Sequence, residues 1–173
     1  TLSAGQLSAL CGKIRQEFDL SRCGEFTVEA GRPDTITQEK LEALREAGIT
    51  RISINPQSLS DQVLRNIGRR HTVQDVEDAF ALARRLGFQN INADLIVGLP
   101  GDSVEGFQHS LEGVLQMGAS NVTVHSLALK RSARLNAPGG DLSLHSKSQE
   151  TAAMMDYSIA RLTQAGMEPY YLY

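Results

Sequence analysis

Residues 85–99 read RLGFQNINADLIVGL, and the fold class follows from this stretch. A helical pattern stops at Gly87, and a β-rich run begins at once. In that run Ile91, Ala93 and Leu95 alternate with Asn92 and Asp94, the period of two that sends successive strand side chains to opposite faces. The same ending recurs in EAGITRISIN (46–55), QMGASNVTVH (116–125) and QAGMEPYYLY (164–173). Gly48, Gly118 and Gly166 stand where Gly87 does, one residue past a helix end, where a left-handed backbone penalises a Cβ.

Upstream of each stop the apolar residues keep helical spacing: Leu41 and Leu44; Val76, Phe80 and Ala83; Phe107, Leu111 and Val114; Ala152, Met155, Ile159 and Leu162. Thr37, Thr72 and Asp102 are the expected N-caps, with Asp75 and Glu105 at the third helical position. A less regular copy opens the chain, with a helix expected over 4–18 and a strand over 25–30. Helices alternating with strands require right-handed crossovers and a parallel sheet, either open or curled into a barrel.

The chain has 173 residues, one ordinary domain over 1–173 and too few for an eight-fold barrel of roughly 250. Its opening helix and closing strand are expected to be pieces of a larger repeat. The one loose stretch is 130–146, where Pro138, Gly139 and Gly140 mark a long loop. With 41% hydrophobic and 21% charged residues and no apolar run near ~20, the composition is that of a soluble globular protein rather than a membrane span. The formal charge of −3 supplies no global basic field, so neither nucleic acid nor membrane is an expected partner. Cys11 and Cys23 are too few for a disulfide scaffold and too far apart for a compact metal knuckle; reduced thiols and a cytoplasmic location are expected.

Parallel strands usually read as continuous apolar runs, and these do not. Phe26 and Val28 oppose Glu25, Thr27 and Glu29, while Ile52 and Ile54 oppose Ser53, Asn55 and Gln57. Each strand therefore has an apolar side for helices and a polar side for a wet pocket. Glu29, Gln57 and Asp94 lie toward the carboxyl ends, where barrels of this kind gather ligand groups. The alternative is that these polar groups satisfy one another internally.

Other features read more plainly. GRRHT (68–72) is taken as a solvated basic helix end, His125 as a packing histidine, and His109 and His145 as surface residues. GLPGD (98–102) is a turn between strand and helix, Met154 and Met155 are core filler, and Tyr157, Tyr170 and Tyr171 are candidates to flank a substrate.

The succession from Phe26 to Thr72, followed by GFQNINADLIVGLPGDSVEGF (87–107), resembles the radical S-adenosylmethionine (SAM) proteins related to oxygen-independent coproporphyrinogen III oxidase. The elements that carry the resemblance are a strand ending in Glu, a strand ending in Gln-Ser, an arginine on the next helical segment, and DLIVGLPGD (94–102). Asn55-Pro56 departs from relatives, many of which have Gly and a branched aliphatic residue there.

The resemblance implies an α/β fold, a truncated partial (β/α)₆ TIM-like barrel of parallel strands with the first strand missing. It also implies a [4Fe-4S] cluster held by three cysteines upstream of Thr1, with SAM as the cofactor it cleaves. Glu29 would contact the methionine amino end and Arg69 its carboxylate; Gln57 and Asp94 would hold the ribose hydroxyls; Ile96 and Ala128 would flank the adenine. No catalytic or metal-ligating residue is expected within 1–173, which alone would be inactive. The implied whole is a radical SAM oxidoreductase acting on a small molecule such as a porphyrinogen in haem biosynthesis, with an external electron donor. A haem-binding or haem-delivery protein of the same family, or an enzyme with another substrate, is the alternative.

Overall fold

The computed structural model describes residues 2–127 and 144–170. The elements run α1 (Ala4–Glu17), β1 (Thr27–Gly31), α2 (Gln38–Glu46), β2 (Arg51–Gln57), α3 (Asp61–Asn66), α4 (Val73–Arg85), β3 (Asn90–Val97), α5 (Val104–Gln116), β4 (Asn121–Ser126) and α6 (Leu144–Gln164). Local chemistry sets most boundaries. Thr72 and Asp75 close a capping box at α4, and Thr37 accepts from the Lys40 amide at α2. At α5 the expected cap is displaced by one residue: Ser103, not Asp102, accepts from the Gly106 amide. The Asp102 side chain instead folds into the turn, where Oδ1 accepts from the Ser103 amide and Oδ2 is buried without a partner.

The four glycine stops share one geometry. Gly48, Gly87, Gly118 and Gly166 have φ of 73°, 87°, 85° and 80°, and the residue after each donates back to the helix at 3.0 Å: Ile49 to Leu44, Phe88 to Ala83, Ala119 to Val114, Met167 to Leu162. This is the Schellman closure, which satisfies carbonyls that a helix end leaves open. Arginines add a second device. Arg15 of α1 donates from Nε and Nη2 to the Ala47 carbonyl at the end of α2 (2.9 and 2.6 Å). Arg45 of α2 lies over the Phe88 ring just past α4, 5.2 Å from its centroid. Arg84 of α4 donates to the Gly118 carbonyl just past α5. Each guanidinium thus stands at the C-terminal end of the next long helix, where the macrodipole is negative.

The sheet has four parallel strands in the order β1-β2-β3-β4. All steps go the same way, so right-handed crossovers place every connecting helix on one face. That resolves the choice between an open doubly wound sheet and a barrel-type sheet in favour of the second. The helix-covered face is the apolar one: Ile52, Ile54, Ile91, Ala93, Leu95 and Val97 are fully buried. They pack with Leu41, Phe80, Phe107, Leu111 and, from α6, Met154 into one core. Burying a Phe or Leu side chain contributes about 1.5–3 kcal/mol, so this layer is the main source of stability.

The opposite face is polar and largely self-satisfied. Asn92 Nδ2 donates to Ser53 Oγ (2.8 Å) and to Asp94 Oδ1 (2.6 Å), Thr123 Oγ1 donates to Asn92 Oδ1 (3.0 Å), and Ser53 Oγ donates to Asn55 Oδ1 (3.0 Å). At the N-terminal edge of the sheet Arg51 donates to Glu25 (3.0 Å) and to Asn121 (3.4 Å). The Thr27 hydroxyl and then the Arg51 guanidinium hold the Glu25 carboxyl below its ordinary pKa.

Two tyrosine assignments are corrected. Tyr157 donates to Glu112 (2.9 Å), which Arg161 also grips at 2.5 and 3.0 Å, so it cements α6 to α5 outside the sheet. Tyr170 reaches Asn121 at 3.5 Å, at the N-terminal edge rather than the carboxyl rim. Tyr171, and the rest of the strand expected over 169–173, lie outside the described residues apart from Pro169 and Tyr170, which are in no strand.

Two outcomes follow from this packing. Replacing Asn92 by Ala leaves the Thr123 hydroxyl without its acceptor and Ser53 with Asn55 as its remaining partner, and urea unfolding should register a loss of about 1–3 kcal/mol. Burial holds the Asp102 carboxyl above its ordinary pKa despite the Ser103 amide, so ionisation opposes folding. The stability present while it is protonated is complete below the ordinary carboxyl pKa and is lost as pH rises through the folded value. Asp102→Asn should therefore raise the melting temperature at about pH 7, with the gain vanishing near about pH 3.

Candidate functional site

Each polar group on the bare face was a candidate, and hydrogen-bond accounting separates them. Asn92, Ser53, Asn55 and Thr123 are committed to one another, which is the internal alternative left open by the sequence. Glu29, Gln57 and Arg69 are not: among the described residues none of their side chains has a hydrogen-bond or ion-pair partner. Asp94 is half committed, its Oδ1 accepting from Asn92 and its Oδ2 from no protein group among the described residues.

Glu29 is the third residue of β1, in register with Ser53, and its side chain is exposed. Asp94 lies on β3 in register with Thr123, and Ile96, half-buried, in register with His125. Gln57 ends β2 at an irregularity, where three residues of β2 span two of β3 between the Ile54–Ala93 and Gln57–Leu95 pairs. Its φ is 69°, the only positive value at a non-glycine among the described residues, and the residue is 6% exposed. Arg69 follows α3, whose Ser60 cap and buried Val63 and Leu64 fix the segment. Gly68 turns with φ 71° and the Arg69 amide donates to the Leu64 carbonyl (2.9 Å), so the half-buried guanidinium projects from a pinned backbone. Ala128 lies outside the described residues.

Four of these residues, Glu29, Gln57, Asp94 and Ile96, thus come from the inner halves or carboxyl ends of three adjacent parallel strands, and Arg69 comes from the segment after β2. A free carboxylate, a free guanidinium, an amide and a half-free carboxylate suit a ligand bearing both charges and hydroxyls. The cleft of about 230 Å³ beside β1, under α1 and α2, is walled chiefly by Leu7, Val28, Ile36, Leu41 and Leu44, with Glu29, Thr35 and Lys40 also in its lining.

One histidine was misjudged. His71 is not a solvated helix end: it is 2% exposed, with Nε2 3.1 Å from the Pro56 carbonyl. His125, half-buried on β4, lies on the polar face in register with Ile96, in keeping with its alternation with Val124 and Ser126. For His71 no periodicity existed to reveal its burial, because it sits in a connecting segment. His109 is exposed as expected, and His145 lies among residues whose side chains are not described.

No cluster site is present among the described residues: no group of three or more His, Cys, Asp or Glu side chains could hold a metal ion. Cys11 is buried on α1, and the exposed Cys23 donates its thiol to the Glu25 carbonyl (3.1 Å). No described helix is long and apolar enough to cross a membrane.

Comparison with known proteins agrees with this arrangement. The model of the radical SAM superfamily matches residues 12–113. The chain is 40% identical over 174 residues to the oxygen-independent coproporphyrinogen-III oxidase-like protein HemZ of Bacillus subtilis, covering all of this chain and 34% of that one. It is 34% identical over 183 residues to the heme chaperone HemW of the same organism, covering 97% of this chain and 48% of that one. The chain therefore spans about a third to a half of the length of these relatives. Among solved structures, coproporphyrinogen III oxidase (HemN) from Escherichia coli, described as a radical SAM enzyme, superposes with a TM-score of 0.77 at 25% identity, over 96% of this chain and 38% of that one. Members of the superfamily bind SAM and a [4Fe-4S] cluster. Parallel strands in sequential order, a polar face with uncommitted groups toward its carboxyl rim and the match over 12–113 lead to one conclusion: the chain belongs to the radical SAM superfamily.

Proposed function

We propose that residues 1–173 form the SAM-binding part of a radical SAM oxidoreductase related to oxygen-independent coproporphyrinogen III oxidase. The observation that carries this reading is the division of the polar face into groups that satisfy one another and groups that do not. Arg69 has the charge and planar donors for the methionine carboxylate, and Glu29 the opposite charge for its ammonium. The Gln57 amide and the open oxygen of Asp94 suit a ribose diol. Ile96, and Ala128 from beyond the described part, are apolar enough for the faces of an adenine. The Asn92 hydrogen bond restrains the Asp94 carboxylate, so it meets a ligand already oriented.

The described residues do not fit an iron-sulfur cluster, and its ligands in this reading come from cysteines outside 1–173. When bound, SAM together with a reduced cluster would supply one-electron chemistry for hydrogen-atom abstraction. The proposed reaction is oxidative decarboxylation of porphyrinogen propionates to vinyl groups, each propionate losing a hydrogen atom and then carbon dioxide and one electron, the electron passing to an external acceptor, with a separate external electron donor for the cluster. The protein is proposed to be cytoplasmic. A second reading, haem binding or delivery, is favoured by one specific finding, the 34% identity to the heme chaperone HemW across nearly the whole chain.

The complete gene product, reconstituted with iron and sulfide and then reduced, is expected to release 5′-deoxyadenosine from SAM and to convert coproporphyrinogen III. SAM binding without porphyrinogen turnover, together with stoichiometric haem uptake in a titration, would select the second reading. In either case Asp94→Ala should weaken SAM binding by about 10–100-fold and Gln57→Ala by about 3–10-fold, measured by calorimetry without turnover. Unchanged affinity in both variants would remove the ribose assignment.

A further inference from the structure

The left-handed backbone at Gln57 needs something to hold it. A glutamine gains nothing from positive φ, and a flip of the peptide joining Pro56 to Gln57 would exchange it for an ordinary conformation. The carbonyl of that peptide belongs to Pro56, and the His71 Nε2 lies 3.1 Å from its oxygen. With the carbonyl as acceptor, the ring nitrogen is the donor, and the hydrogen bond fixes the plane of the peptide that sets the φ of Gln57.

His71 also bears an uncompensated cost. The residue is 2% exposed, and its Nδ1 is buried with no hydrogen-bond partner. A buried imidazole that satisfies only one of its two nitrogens is a poor choice for packing alone, where an apolar side chain of similar size leaves nothing unpaired. Its position explains its use. Two residues before it stands Arg69, anchored through its amide to Leu64, and immediately after it Thr72 caps α4. One ring therefore ties the strand end carrying Gln57 to the segment carrying Arg69.

We propose that His71 is a positioning residue for the SAM site: it holds the Pro56–Gln57 peptide in its left-handed setting and so presents the Gln57 amide in fixed relation to the Arg69 guanidinium. This role rests on the SAM-binding reading above. It adds a residue that touches no cofactor, in a segment that looks like surface.

The test uses the complete gene product and reads SAM affinity by calorimetry without turnover, with unfolding midpoints recorded beside it. His71→Gln keeps a donor at about the reach of Nε2, whereas His71→Met has similar length and no donor, so their difference isolates the hydrogen bond. His71→Met is expected to weaken SAM binding by about tenfold and His71→Gln by less than about threefold. When Gln57 is already Ala, His71→Met should cost less than about twofold more, because the group it positions is gone. Parental affinity in His71→Met, or an equal loss whether or not Gln57 is present, would overturn the positioning role while leaving the cofactor reading intact. Absence of SAM binding by the parent protein would instead overturn the cofactor reading, and this role with it.

Discussion

Parallel neighbours can be joined only through a crossover, the crossover is right-handed, and in this chain every step is taken in the same direction. The helices consequently accumulate on one face, and the other receives no cover from them. Much else follows from this asymmetry. The covered face must be apolar, and Ile52, Ile54, Ile91, Ala93, Leu95 and Val97 make it so. The bare face can hold polar side chains only if each finds a partner, water or a ligand, because desolvating an amide or carboxylate without one is costly.

The chain meets that requirement unevenly along the strands. Toward the N-terminal edge, Glu25, Arg51 and Asn121 form one linked group; in the middle, Ser53, Asn55, Asn92 and Thr123 form another. Glu29, Gln57, Arg69 and one oxygen of Asp94 belong to neither. Among the described residues the candidate site is thus marked by the groups that the fold leaves unsatisfied. The cleft beside β1 is walled mainly by apolar side chains, and of these groups only Glu29 lines it. Preorganisation enters through the committed residues: Asn92 holds Asp94, and the segment after α3 is pinned by the Leu64 carbonyl.

The fold was legible because its signals are local. Gly48, Gly87, Gly118 and Gly166 mark helix ends through a backbone conformation that other residues resist, and the alternation at Ile91–Leu95 exposes a two-faced strand without reference to anything distant. The placement of Asp94 and Glu29 on the polar face was legible for the same reason. The misreadings are where two residues compete for a local role or where tertiary packing decides. Asp102 and Ser103 both cap helices well, and only the turn geometry selects the serine. His71 has basic neighbours and no periodic context, so its burial under the Pro56 carbonyl is a long-range fact. Tyr157 lies on a helix whose partner, Glu112, is separated from it by most of a helix–strand unit. The barrel-type curl followed from strand order, which the alternation of helices and strands alone leaves open.

The arginines at the helix ends make the two rims of the sheet unequal. Arg15, Arg45 and Arg84 each reach forward to the turn that leads from a later helix into its strand, so the spacing of those turns is dictated by side chains one unit behind. Among the described residues the turns that leave the strands are fastened forward by Asn66 Nδ2 to the Pro100 carbonyl (3.0 Å) and by no arginine. Insertions and sequence drift should therefore collect on the carboxyl rim, and the amino rim should keep its lengths. A scaffold built this way can exchange one ligand for another on its open side without renegotiating how it is held together.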